Sequence, residues 1–172
     1  MKEIVDHLPR LRRYARALTG DAAASEDLVQ DTVERALARL DLFRPGSRLD
    51  AWLLSVMHNL FISQLRRDAR LPQEDSADEL ADELPVRGTQ TDALELRDLD
   101  RALARLPSAQ REVLLLISLE EFTYEEAAHI LGVPVGTVMS RLARAREKLR
   151  AILAGADTPS APQSVMHLKV VK

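Results

Sequence analysis

Residues 123–149, Thr-Tyr-Glu-Glu-Ala-Ala-His-Ile-Leu-Gly-Val-Pro-Val-Gly-Thr-Val-Met-Ser-Arg-Leu-Ala-Arg-Ala-Arg-Glu-Lys-Leu, read as two helices joined by a tight turn. Thr123 and Glu126 have the spacing of a capping box, in which each side chain accepts from the other residue's backbone N–H. Ala127, Ala128, Ile130 and Leu131 give the first helix its apolar face. Gly132 is placed to end it with a positive φ, and Pro134 fits the start of the next helix but not the continuation of the last. On the second helix, at about 100° per residue, Val138, Leu142, Ala145 and Leu149 share one stripe. Thr137, Ser140, Arg141, Arg144 and Lys148 share the opposite one. The pattern predicts a helix-turn-helix. Its second helix offers hydroxyls and Arg near the start for base edges, and later cations for phosphates. A basic stripe also suits a solvated helix lying against an acidic neighbour; the capping box, turn glycine and preceding helix in register favour nucleic acid.

Composition constrains the rest. The chain has 172 residues, no cysteine and few aromatics, so all-α structure is expected, and disulfides, zinc fingers and cysteine nucleophiles are excluded. The four histidines (His7, His58, His129, His167) lack metal-ligand spacing, and no metal or cofactor is expected. No apolar run approaches the roughly 18 residues of a membrane span, and the first residues lack a signal-peptide core, so a soluble cytoplasmic protein is expected. No phosphate-binding loop, nucleotide fingerprint or carboxylate pair suggests an enzyme. The net charge of −3 is uneven: residues 1–68 carry +1, residues 69–93 carry −5 and residues 94–172 carry +1. Within 137–150, five cations face one Glu147, and this local charge is what matters to DNA.

Upstream, three helices are expected: Glu3 to Leu18, with Pro9 able to shorten it; Ser25 to Leu40, with Ser25 as N-cap; and Leu49 to Arg67. The third is the most apolar, through Trp52, Leu53, Met57, Leu60 and Phe61. Residues 69–92, with Pro72, Pro85, Gly88 and an acidic run, read as a flexible acidic linker. A helix from Asp92 to Arg105 and a short one from Ala109 to Ser118 lead into the helix-turn-helix. The expected organisation is a helical domain over 1–68, the linker over 69–92, a second helical domain over 93–153 and a disordered tail over 154–172.

The chain resembles the group IV, or extracytoplasmic-function (ECF), sigma factors of bacterial RNA polymerase. In the first half the resemblance rests on Ser25-Glu-Asp-Leu-Val-Gln-Asp-Thr-Val-Glu-Arg-Ala36, Phe43-Arg-Pro-Gly-Ser47, Ala51-Trp-Leu53, His58-Asn59 and Leu65-Arg-Arg67. In the second it rests on Leu106-Pro107, Gln110-Arg-Glu-Val-Leu114, Tyr124-Glu-Glu-Ala-Ala128 and Pro134-Val-Gly-Thr-Val138 through Ser140-Arg-Leu-Ala-Arg-Ala-Arg146.

The resemblance implies a three-helix region 2 and a helix-turn-helix region 4. It implies a promoter-specific initiation factor with core RNA polymerase, promoter DNA and an anti-sigma factor as partners. Asp27, Leu28, Gln30 and Asp31 match the segment that docks on core polymerase, although Asp27 equally suits the helix dipole. Ser47, Arg48, Ser55, Asn59, Arg66 and Arg67 match the part that reads and opens the minus-10 element, with Asn59 at the position that contacts a base of the non-template strand and Ser47 and Arg48 in the loop that lodges a flipped base. Trp52 is a base-stacking candidate or a core residue. Thr137, Ser140, Arg141, Arg144 and Lys148 fall in the minus-35 reading helix. Met139 departs from the family's usual Lys or Arg, which puts the sequence preference in question; the short N-terminus is a second departure. Two other readings stay open: a two-domain DNA-binding regulator without polymerase contact, and a sigma mimic that binds an anti-sigma factor.

Overall fold

The computed structural model describes residues 2–69 and 94–155, so the expected linker and tail lie, but for Ala69, Ala154 and Gly155, outside the described residues. The described residues form seven α-helices and one short 3-10 turn. These are α1 (Lys2–Thr19), α2 (Ala22–Ala38), the turn Leu40–Leu42, α3 (Leu49–Asp68), α4 (Leu94–Ala104), α5 (Ser108–Ser118), α6 (Tyr124–Leu131) and α7 (Val135–Leu153). The expected all-α class holds, with a three-helix unit and a helix-turn-helix unit.

In the first unit α2 packs on both α1 and α3. Leu11, Ala15 and Leu18 are buried as their spacing predicts, and Ile4 and Tyr14 join them. Pro9 does not shorten α1, which runs through it. The i−4 carbonyl left without a donor belongs to Val5, which like Pro9 lies on the exposed side of the helix. Helix α2 starts three residues earlier than expected. Its N-cap is Asp21, whose Oδ1 accepts from Ala24 N–H at 2.8 Å. Ser25 is buried inside the first turn, and its hydroxyl donates to Ala22 O at 2.8 Å.

In the second unit, α5, α6 and α4 all pack against α7. The capping box forms as its spacing predicts: Thr123 Oγ1 accepts from Glu126 N–H at 3.2 Å, and Glu126 Oε2 from Thr123 N–H at 2.9 Å. Gly132 has φ 66°, and a non-glycine residue there would pay the left-handed penalty. Val138, Leu142 and Ala145 are buried, with Leu149 packed at the margin of the core.

The two units are not independent beads on a tether. Helix α1 contacts α4 and α5, and α3 contacts α6, so the buried side chains of both halves form one continuous cluster.

Candidate nucleic-acid interface

The outer face of α7 is built by its inner one. With Val138, Leu142 and Ala145 locked into the core, the stripe of Thr137, Ser140, Arg141, Arg144 and Lys148 is centred roughly 115° around the helix from them, at about 100° per residue. Ser140, Arg144 and Lys148 are exposed, and Thr137 and Arg141 are half-buried. Ser140 Oγ donates to Thr137 O at 3.1 Å, which leaves its lone pairs available to a donor on a base edge, such as an exocyclic amine. Met139 is 52% exposed but is not on this stripe. At about 100° per residue it sits roughly 160° around the helix from the stripe's centre.

The second candidate surface lies along the loop before α3 and along α3. Ser47 and Arg48 are exposed; the Ser47 hydroxyl donates to Arg44 O at 2.6 Å and shapes the turn. Ser55 is half-buried, and Asn59 is exposed one turn further on. Arg66 is half-buried and Arg67 exposed near the end of the helix. Trp52 is half-buried, packs against the core and stands 5.4 Å from the Phe43 ring at a 52° tilt. A groove of about 630 Å³ lies between this surface and α6. Leu42, Arg44, Ser47, Arg48, Trp52 and Ser55 line one wall, and Glu125, Glu126 and His129 the other. The structure thus brings Ser47, Arg48 and Ser55 together and strings Asn59, Arg66 and Arg67 along the helix beyond them.

On α2, Asp27, Gln30 and Asp31 are exposed. Gln30 Nε2 donates to Glu34 at 2.9 Å, and Gln64 of α3 donates to Asp31 at 3.3 Å. Leu28 corrects the expectation. It is fully buried in the three-helix core, beneath this acidic face, and is not itself exposed on it.

A cluster of charged residues joins the two units, and the sequence reading did not foresee it. Arg10 Nε donates to Glu120, its Nη1 to Asp50, and its Nη2 to Glu120 O at 3.0 Å. Arg13 adds a bond to Glu120 at 3.2 Å. Arg48 forks onto Asp50 at 2.7 and 3.1 Å and reaches Glu126 through Nη1. Phe122 is flanked by both guanidiniums, with Arg48 Cζ 4.6 Å and Arg10 Cζ 5.2 Å from its ring centroid. His58 Nδ1 lies 2.7 Å from Glu112 Oε1.

Arg111, 1% exposed, donates to Leu103 O, Ala104 O and Leu106 O at 2.8–2.9 Å within its own unit. It donates to Leu18 O of α1 at 2.6 Å across the boundary. Burial pushes its guanidinium down to about 10, partly offset by the charge of Glu112, so it stays cationic at neutral pH. Burial raises the Asp50 carboxyl, but bonds from Arg48, the Ala51 N–H and Arg10 outweigh that and hold it at about 2. The Thr123 N–H, then Arg48, hold Glu126 below the usual carboxylate range despite some desolvation. Burial, and then the charges of Glu112 and Glu120, push the Tyr14 phenol well above its ordinary range. The signal for Arg111 and Glu112 was there to find: charged residues inside the apolar register of α5, one turn before Leu114, Leu115 and Leu116.

Two family models match the chain: sigma-70 region 4 over residues 96–149, and the sigma2 domain of PhyR over residues 4–58. The ECF RNA polymerase sigma factor EcfG of Rhodopseudomonas palustris (strain TIE-1) is 45% identical over 151 residues, 88% of this chain and 83% of that protein. This chain belongs to the ECF sigma factors of RNA polymerase. Two solved structures resemble the sigma factor over both units. RpoE from Bartonella quintana, in complex with the anti-sigma factor NepR, is 39% identical with a TM-score of 0.72 over 91% of this chain and 97% of that one. CnrH, in complex with the cytosolic domain of CnrY, is 30% identical with a TM-score of 0.65 over 91% and 88%. As an ECF sigma factor the chain is a non-catalytic initiation factor that brings core RNA polymerase to promoter DNA; bond-making belongs to the polymerase. Among the described residues, no helix is long and apolar enough to cross a membrane.

Proposed function

We propose that this sigma factor reads a bipartite promoter with the two surfaces described above, as a cytoplasmic protein. Its α7 enters the major groove at the minus-35 element through Thr137, Ser140, Arg141, Arg144 and Lys148. The loop and helix carrying Ser47, Arg48, Ser55, Asn59, Arg66 and Arg67 engage the minus-10 element once its strands part. Asp27, Gln30 and Asp31 present an acidic face to a basic helical segment of core polymerase. The working units are residues 1–68 and 93–153, and the acidic segment 69–92 connects them. Twenty-four extended residues reach at most about 80 Å, against about 68 Å for two turns of DNA. An anti-sigma factor is the expected regulator, supported by the complexes in which RpoE and CnrH were solved.

The observation that carries this reading is the outward basic stripe of α7, held in place by its own buried stripe. Gel-shift of holoenzyme on a minus-35 duplex tests it. Arg144→Ala should weaken binding by roughly 1–3 kcal/mol if Arg144 reads a base. Unchanged binding would remove Arg144 from the reading face.

One observation favours a sigma mimic: residues 4–58 match the PhyR sigma2 model. The exposed cations of α7 and the 45% identity to a sigma factor weigh against it. Pull-down of core polymerase separates the two, since a mimic would leave the polymerase in the supernatant.

A further inference from the structure

Helix α7 carries a second cationic flank, outside the stripe of Thr137, Ser140, Arg141, Arg144 and Lys148. At about 100° per residue, Arg146 and Arg150 are centred roughly 90° around the helix from Val138, Leu142 and Ala145, on the side away from that stripe. Both are exposed. Gly136, Ser140 and Glu147, exposed as well, lie within about 30° of the point diametrically opposite the core. The helix thus has a buried back, a front of Gly136, Ser140 and Glu147, and two cationic sides. Arg144 and Lys148 are on one side, Arg146 and Arg150 on the other.

Elsewhere in the chain, cations find carboxylates. Arg10, Arg13 and Arg48 hold them across the seam between the two units, and Arg12 and Arg101 lie 3.4 and 3.6 Å from one. Among the described residues, Arg144, Arg146, Lys148 and Arg150 make no ion pair, although Glu147 is three positions from two of them. Each side of α7 also sets two like charges four residues apart, which destabilises an isolated helix. That repulsion is relieved when an outside anion meets each pair. The two pairs are about 160° apart around the front of the helix. A flat acidic surface meets one pair or the other; a channel with an anionic wall on each side meets both. The DNA major groove is about 12 Å wide, an α-helix with its side chains is about 10–12 Å across, and both walls of the groove are phosphate backbones.

We propose that Arg146 and Arg150 form a second phosphate-binding site on α7. They bind the backbone of the strand opposite the one that Lys148 contacts, so the helix is clamped from both sides while its front lies over the base edges. The proposal rests on the reading of α7 as the minus-35 helix and adds two residues and a second strand to it. Arg146 and Arg150 set the depth and angle of α7 in the groove and carry no sequence information themselves.

Fluorescence anisotropy of holoenzyme on a minus-35 duplex, with salt raised from about 50 to about 200 mM, tests this. Arg146→Ala and Arg150→Ala should each weaken binding equally to this duplex and to one with the element scrambled. Each should lower the log–log salt slope by about 0.9, so the same rise in salt weakens the variant about three- to fourfold less than wild type. Alanine is a better helix former than arginine, so neither change threatens α7. Neutral methylphosphonates, placed on one strand at a time, should cancel the effect of Arg146→Ala on one strand and that of Lys148→Ala on the other. Unchanged salt slopes in both variants would overturn the clamp and leave this flank to an acidic protein surface. Mapping of Arg146 to the same strand as Lys148, or a loss confined to the unscrambled duplex, would also overturn it. In each of these cases a normal loss with Arg144→Ala keeps the minus-35 reading standing. Wild-type holoenzyme that does not distinguish the two duplexes would remove the reading and the clamp together.

Discussion

Replacing Arg111 by Met removes one planar cation and takes a donor from four carbonyls, of which Leu103 O keeps the Leu106 N–H. Met keeps the aliphatic stem and its packing, so the loss is almost entirely polar. The carbonyls of Leu103, Ala104 and Leu106 are at the end of α4 and in the turn beyond it, where only Leu103 O also accepts a backbone N–H, from Leu106 at 3.1 Å; Leu18 O is at the end of α1. At about 1 kcal/mol net per hydrogen bond, four bonds amount to about 4 kcal/mol, and the relief of a desolvated cation subtracts part of that. A net loss of about 3 kcal/mol is expected, a large share of the 5–15 kcal/mol typical of a folded domain. Urea unfolding followed by circular dichroism at 222 nm measures it directly. Arg111→Lys should recover less than half, because an ammonium does not reproduce the fork. Of these bonds only the one to Leu18 O crosses between the units, and its share of the loss is about 1 kcal/mol. A loss below about 1 kcal/mol for Arg111→Met would show that water serves these carbonyls as well as the guanidinium does, and would refute the reasoning.

Other expectations concern single positions. Gly132→Ala meets no steric neighbour, so its cost is conformational alone, about 1 kcal/mol of stability by urea titration, with minus-35 binding of the folded protein unchanged. Met139→Lys should change minus-35 affinity less than Arg144→Ala does, because residue 139 faces away from the stripe; fluorescence anisotropy on a duplex reads both. The Asp50 carboxyl has a folded pKa of about 2, below its ordinary 3.8, so its contribution is present above pH about 4 and is lost as pH falls toward 2. Asp50→Asn should flatten that part of the acid-unfolding curve, and an unchanged curve would dissociate Asp50 from the stability of the seam.

The helix-turn-helix was legible because its determinants are local. Thr123 and Glu126 are three residues apart, Gly132 needs only its own φ, and the α7 stripes follow from one period. The start of α2 was less so. Asp21 and Ser25 are both competent caps, and what separates them is that Ser25 is drawn into the core of the three-helix unit. Leu28 was misplaced for a related reason: a motif assigns a role to a segment, while burial assigns it residue by residue. The seam between the units was illegible. Its bonds join Arg10 to Glu120, Arg48 to Glu126 and His58 to Glu112, pairs separated by 54 to 110 positions, and no local pattern connects them. Hydrophobic periodicity also discards charged residues, although Arg111, Glu112 and Glu120 are buried.

The central claim is that one chain supplies both promoter readers to RNA polymerase. In vitro transcription with core polymerase on a library of genomic fragments, with start sites mapped, tests it most directly. The account predicts starts at a restricted promoter set sharing two elements about two helical turns apart, with Arg144→Ala impairing the upstream element and Asn59→Ala the downstream one. Starts that ignore both elements, or no transcription above that of core polymerase alone, would contradict it.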